Sequence, residues 1–78
     1  MKRRASPAES KRDRFLRLAN RRTNAVLNQL KVLSNCSNKY VYDYTEEDVR
    51  KIFGEIEKRV KDTKARFRSS LKKEFRLQ

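Results

Sequence analysis

The chain has no histidine and no tryptophan, and it holds one cysteine, one glycine and one proline. Each scarcity excludes something. Without histidine there is no zinc site of the ordinary Cys/His kind and no imidazole to serve as a base near neutral pH. A lone cysteine, Cys36, cannot close a disulfide within the chain, which fits a reducing compartment. One glycine cannot supply a Gly-rich phosphate loop, and no nucleophile–base pair can be named. No enzymatic activity, cofactor or metal is therefore expected. No apolar run approaches a signal h-region or a membrane span, so a soluble cytoplasmic protein is expected and a membrane is not the expected partner.

Acids are also short. Against 22 Lys and Arg stand 10 Asp and Glu, a net charge of +12. That much charge on 78 residues predicts attraction to a polyanion or an acidic surface. The excess is unevenly spread: residues 1–14 carry +4, 15–33 another +4, 34–45 none, 46–57 −3 and 58–78 +7. The scarcity of Gly and Pro, with abundant Lys, Arg, Glu, Leu and Ala, points to an all-α chain. This length supports a single domain with a modest core.

Phe15 to Leu33 is the central stretch. Leu16, Ala19, Thr23, Val26, Leu30 and Leu33 recur at alternating three- and four-residue steps, which places them on one face of a helix. Arg14, Arg17, Arg21, Asn24, Asn28 and Lys31 fall on the opposite face, and residues 14–33 contain no acid. Arg can fork onto phosphate or guanine, and Asn can read adenine or bond backbone oxygens, so this face is the candidate nucleic-acid-binding surface. Upstream, Ser6-Pro7-Ala8-Glu9 has the pattern of a capping box with proline at the first helical position. The first helix is therefore expected over residues 7–34, after a flexible basic tail at 1–6.

Ser34 to Lys39 is turn chemistry, with Asn able to take a left-handed cap. Tyr40-Val41-Tyr42-Asp43-Tyr44 alternates like a strand but has nothing to pair with, and is expected as an extended connector. Thr45 can cap the amide of Asp48, and Glu46, Glu47 and Asp48 suit the positive end of a helix dipole. Metal or acid–base roles for these acids are not needed. Val49, Phe53, Ile56, Val60, Thr63 and Phe67, with Ile52 beside them, make a second apolar stripe on a helix expected over 46–74.

The eleven-residue connector at 35–45 lets the helices fold back antiparallel, as a hairpin domain over 7–78. Such a hairpin leaves its core half open, so a homodimer forming a four-helix bundle is a further expectation. Its basic N-terminal arm and basic C-terminal segment, with Lys64, Arg68 and Lys72, would share one end. Leu71, Phe75 and Leu77 outrun the apolar residues of the first helix; Phe67, Leu71 and Phe75, set among bases, are candidate partner-binding residues, together with Tyr40 and Tyr42. The tyrosines have a second reading, as a cap over the open end of the hairpin core.

The segment NCSNKYVYDYTEEDVRKIFGEIE, preceded by RFLRLANRRTNAVLNQLKVL, resembles a group of small uncharacterised bacterial helical proteins. Asn35, Ser37, Asn38, Tyr42, Tyr44, Thr45, Asp48, Val49, Lys51, Ile52 and Phe53 match its N-x-S-N loop, Tyr-x-Tyr pair, cap and D-V-x-K-I-F helix. The likeness covers about residues 14–67, and Cys36 departs from the apolar residue expected there. It implies a bacterial, cytoplasmic helical protein of a kind often found near mobile genetic elements, and supplies no function. From the residues themselves, two functions follow. The first is a non-enzymatic accessory protein that binds DNA or RNA mainly through phosphate. The second is an adaptor, subunit or inhibitor docking on an acidic protein surface.

Overall fold

A computed structural model describes residues 8–75, with side chains described for residues 8–72. The basic tail at 1–6 and the Ser6-Pro7 start signal lie outside the described residues. The described residues are all-helical: α1 spans Lys11–Ser34, a short 3-10 turn spans Asn35–Ser37, and α2 spans Glu46–Phe75. The chain divides into two units, Met1–Tyr42 and Asp43–Gln78.

In the first unit, α1 starts later than the Pro7 signal implies. Ala8 to Ser10 are not helical. Ser10 is the N-cap, extended at φ −70° and ψ 162°, and its hydroxyl accepts the amide of Asp13 at 2.9 Å. The amide of Arg14 donates to the Ser10 carbonyl at 3.0 Å, the first full helical bond. Ser10-x-x-Asp13 is thus a cap in its own right, with the Asp13 carboxylate in the positive first turn. Residues before it have no apolar stripe to bury, so extending the helix backwards gains little.

At the far end the cap, Asn35, is right-handed (φ −66°, ψ −21°) rather than left-handed, and its N–H donates to the Val32 carbonyl. That three-residue bond tightens the chain into the 3-10 turn. Asn38 then breaks out into extended backbone, and its side-chain oxygen accepts the amide of Tyr40 at 3.0 Å. Its carbonyl accepts the amides of Val41 at 3.1 Å and Tyr42 at 2.9 Å. This Asx turn corrects the expected extended connector: Lys39 to Val41 is a turn, and only Tyr42 to Thr45 is irregular.

In the second unit, Thr45 and Asp48 form a reciprocal capping box. The Asp48 amide donates to the Thr45 hydroxyl at 3.1 Å, and the Thr45 amide donates to the Asp48 carboxylate at 2.9 Å. Glu46, Glu47 and Asp48 occupy the first turn of α2 as expected. No proline interrupts the 30 residues that follow. Arg50 pairs with Glu47 at 3.0 Å and Arg59 with Glu55 at 3.5 Å, exposed i,i+3 and i,i+4 pairs worth a few tenths of a kcal/mol each (about 0.2–0.5). Thr63 stands in the apolar stripe because its hydroxyl donates to its own helix, to the Arg59 carbonyl at 2.7 Å.

Among the described residues none is buried. Leu18, Ala19, Leu33, Tyr44 and Ile56 are half-buried, while Leu16, Val26, Leu30, Phe53, Val60 and Phe67 remain exposed. A helix covers its own stripe only with side chains three and four residues away, so both apolar faces stay open. Among the described residues no helix is long and apolar enough to cross a membrane.

Candidate nucleic-acid interface

The six α1 residues form one exposed row. Arg14, Arg17, Arg21, Asn24, Asn28 and Lys31 all lie within Lys11–Ser34. At 1.5 Å per residue the row is roughly 25 Å long, the length over which one strand of a duplex lays down about seven phosphates. The side-chain amides of Asn24 and Asn28 are unengaged among the described residues, as are the Arg21 guanidinium and the Lys31 ammonium group. Lys31 also sits in the last turn, where a cation faces the negative end of the helix. Val32 lies beside Lys31 and is exposed, adding an apolar spot at that end of the row.

Arg17 is different. Its Nε donates to one oxygen of the Glu9 carboxylate at 2.7 Å, and its terminal nitrogen donates to the other at 2.8 Å. The Nε of Arg14 stands 4.0 Å from the same carboxylate. These hydrogen bonds from Arg17 hold the Glu9 carboxyl below the ordinary glutamate range, and the same contact raises Arg17. The row contains no acid in sequence, yet an acid from outside the helix is clamped on it. The sequence pattern assigns Glu9 elsewhere, to a capping box with Ser6. Its true partner is eight residues away, beyond the spacing by which helical ion pairs are recognised. Arg12 points away from the row, its guanidinium 5.9 Å from the centre of the Phe15 ring.

The second unit carries its own row. Lys64, Arg68 and Lys72 follow at four-residue steps on α2, exposed. Beside them Phe67 is 55% and Leu71 66% exposed. Thr63, Arg66, Phe67 and Ser70 line a shallow depression there. Phe75 ends α2, and its side chain lies outside those described. In the connector, Tyr40 is fully exposed and Tyr42 about half exposed. Cys36 is exposed in the 3-10 turn.

The site defined by these elements is an open helix face of arginine, asparagine and lysine. No known family model, curated protein or solved structure matches the chain.

Proposed function

We propose that this chain is a non-enzymatic nucleic-acid-binding accessory protein that grips phosphate with the exposed face of α1. The observation that carries this is the 14–31 row itself: four cations and two free amides on one helix side, in a chain of charge +12. Such a face gives salt-dependent binding with modest sequence preference. Lys64, Arg68 and Lys72 add a second set of phosphate contacts.

The architecture that suits this role is an antiparallel hairpin over 7–78, with the stripes of α1 and α2 facing one another and a second copy completing a four-helix bundle. Open stripes on both helices support it, since each needs a cover that neither supplies for itself. The hairpin would bring the basic N-terminal and C-terminal segments to one end, where their mutual repulsion is relieved by a polyanion. The cytoplasm is the compartment that fits a lone, exposed cysteine.

Binding to labelled duplex DNA, single-stranded DNA and structured RNA, each from about 50 to 300 mM salt, tests the proposal. Replacing Arg17 and Arg21 together with Ala should weaken binding and flatten the log–log salt slope by about two. An unchanged slope would place the phosphate contacts elsewhere.

A second reading, a module that docks on an acidic protein surface, rests on the exposed Phe67 and Leu71 among the bases of α2. Truncation after Ser69 that ends capture of an acidic partner, while sparing nucleic-acid binding, would favour it.

A further inference from the structure

We propose that Arg14 and Arg17 form a built oxyanion site for a phosphodiester, and that Glu9 occupies this site in the free protein as an internal competitor. The inference rests on the nucleic-acid reading above and deepens it.

Arg17 meets Glu9 with two nearly equal hydrogen bonds, 2.7 and 2.8 Å, one to each carboxylate oxygen. That is the fork arrangement of a guanidinium on a planar or tetrahedral oxyanion, and the two non-bridging oxygens of a phosphodiester can take the same two donors. Arg14, one turn earlier on the same face, adds a second positive charge at 4.0 Å. The carboxylate therefore stands where a phosphate would sit.

The holder of that carboxylate is not part of the helix. Glu9 precedes the Ser10 cap, and Ala8 to Ser10 are not helical. The Ser10–Asp13 cap closes α1 without any help from Glu9. Glu9 can thus leave Arg17 without costing the helix a backbone bond. The pair is also solvent-facing, with the Arg17 side chain 54% and the Glu9 side chain 34% exposed. Exposed pairs of this kind are weak, so a phosphate can displace Glu9, and the competition lowers affinity by a modest factor rather than abolishing binding. Arg21 and Lys31, further along the row, carry no such competitor among the described residues.

The test uses the full chain, with inorganic pyrophosphate as a probe independent of any nucleic acid. The side-chain Nε–H resonances of the arginines are followed by NMR in wild type, Glu9→Gln and Glu57→Gln. Glu57 is an exposed carboxylate on α2 with no ion pair among the described residues, so its variant makes the same change in net charge. Without probe, the Arg17 Nε–H should be distinct in wild type and in Glu57→Gln, and should move toward Arg21 in Glu9→Gln. Pyrophosphate should then shift Arg14 and Arg17 in Glu9→Gln at about two- to fivefold lower concentration than in the other two. Equal midpoints in all three, or a gain in Glu57→Gln as large as in Glu9→Gln, would overturn the proposal. The same variants are titrated with duplex DNA, single-stranded DNA and structured RNA. A pyrophosphate result as expected, with no nucleic acid bound by any variant, would leave the oxyanion site standing and remove the nucleic-acid reading.

Discussion

Gly54 is the position at which the helix and the proposed packing can be tested together. It lies in the third turn of α2, inside a regular helix. A Cβ built there meets nothing within 4 Å. The cost of glycine in a helix is the backbone freedom it loses on ordering, about 0.8–1.0 kcal/mol relative to alanine. With no steric cost to set against it, Gly54→Ala should recover nearly all of this. That is roughly a fourfold to fivefold shift toward the ordered helix at 25 °C. Around the helix, Gly54 is roughly 130° from the centre of the Val49–Phe53–Ile56–Val60 stripe at 100° per residue. A bundle built on that stripe would leave Gly54 outside, and the gain should survive there. Far-UV circular dichroism against temperature and urea gives the readout: more helix at 25 °C and a higher midpoint on both axes. A lower midpoint would mean that another backbone crosses α2 at Gly54. That outcome would refute both the open surroundings of Gly54 and an inward-facing Val49–Val60 stripe.

Other perturbations test the remaining links. Thr45→Ala removes one half of the Thr45–Asp48 box and should cost α2 about 1 kcal/mol, seen as fraying of its first turn in amide exchange; Thr45→Ser should restore most of it. The Glu9–Arg17 contact should depend on pH in one direction. Because the folded Glu9 carboxyl is held below its unfolded value, the contact's contribution is complete above the unfolded value and is lost as pH falls through the lower, folded one. The Arg17 Nε–H resonance should follow that acidic step, and in Glu9→Gln it should stay flat. Ile56→Asp places a charge in the middle of the α2 stripe; sedimentation should show the wild type as a dimer at high micromolar concentration and the variant as a monomer. A monomeric wild type would remove the four-helix bundle.

How much of this was legible in the sequence depended on how far each interaction reaches along the chain. The start of α2 was legible to the residue, because Thr45 and Asp48 settle it between themselves, three residues apart. The all-helical class followed from composition and from two stripes with helical spacing. The start of α1 was not legible, because Ser6-Pro7-Ala8-Glu9 and Ser10-x-x-Asp13 are both cap signals and local rules do not rank them. The structure puts the cap at Ser10, one turn nearer to the apolar residues that give the helix a reason to form. Within the Tyr40–Tyr44 run, the extended expectation fails at Tyr40 and Val41 for a related reason. Alternation reports side-chain type, whereas Asn38 decides the backbone by accepting three amides.

The binding face shows the same limit at its most consequential. Counting residues correctly placed Arg14, Arg17, Arg21, Asn24, Asn28 and Lys31 on one exposed side of α1. Counting also made that side wholly basic, because no acid falls between residues 14 and 33. Yet the potential at a helix face is set by every charge near it, and helical spacing detects only those on the helix. Glu9 approaches from the non-helical residues before the cap, where no period applies, and it offsets one of the two positive charges of Arg14 and Arg17, while Arg21 and Lys31 carry no such partner among the described residues. The free cationic surface is therefore shifted toward the middle and C-terminal half of α1. On the proposed function, a polyanion would meet Arg21, Asn24, Asn28 and Lys31 first, and would take Arg17 by displacing Glu9.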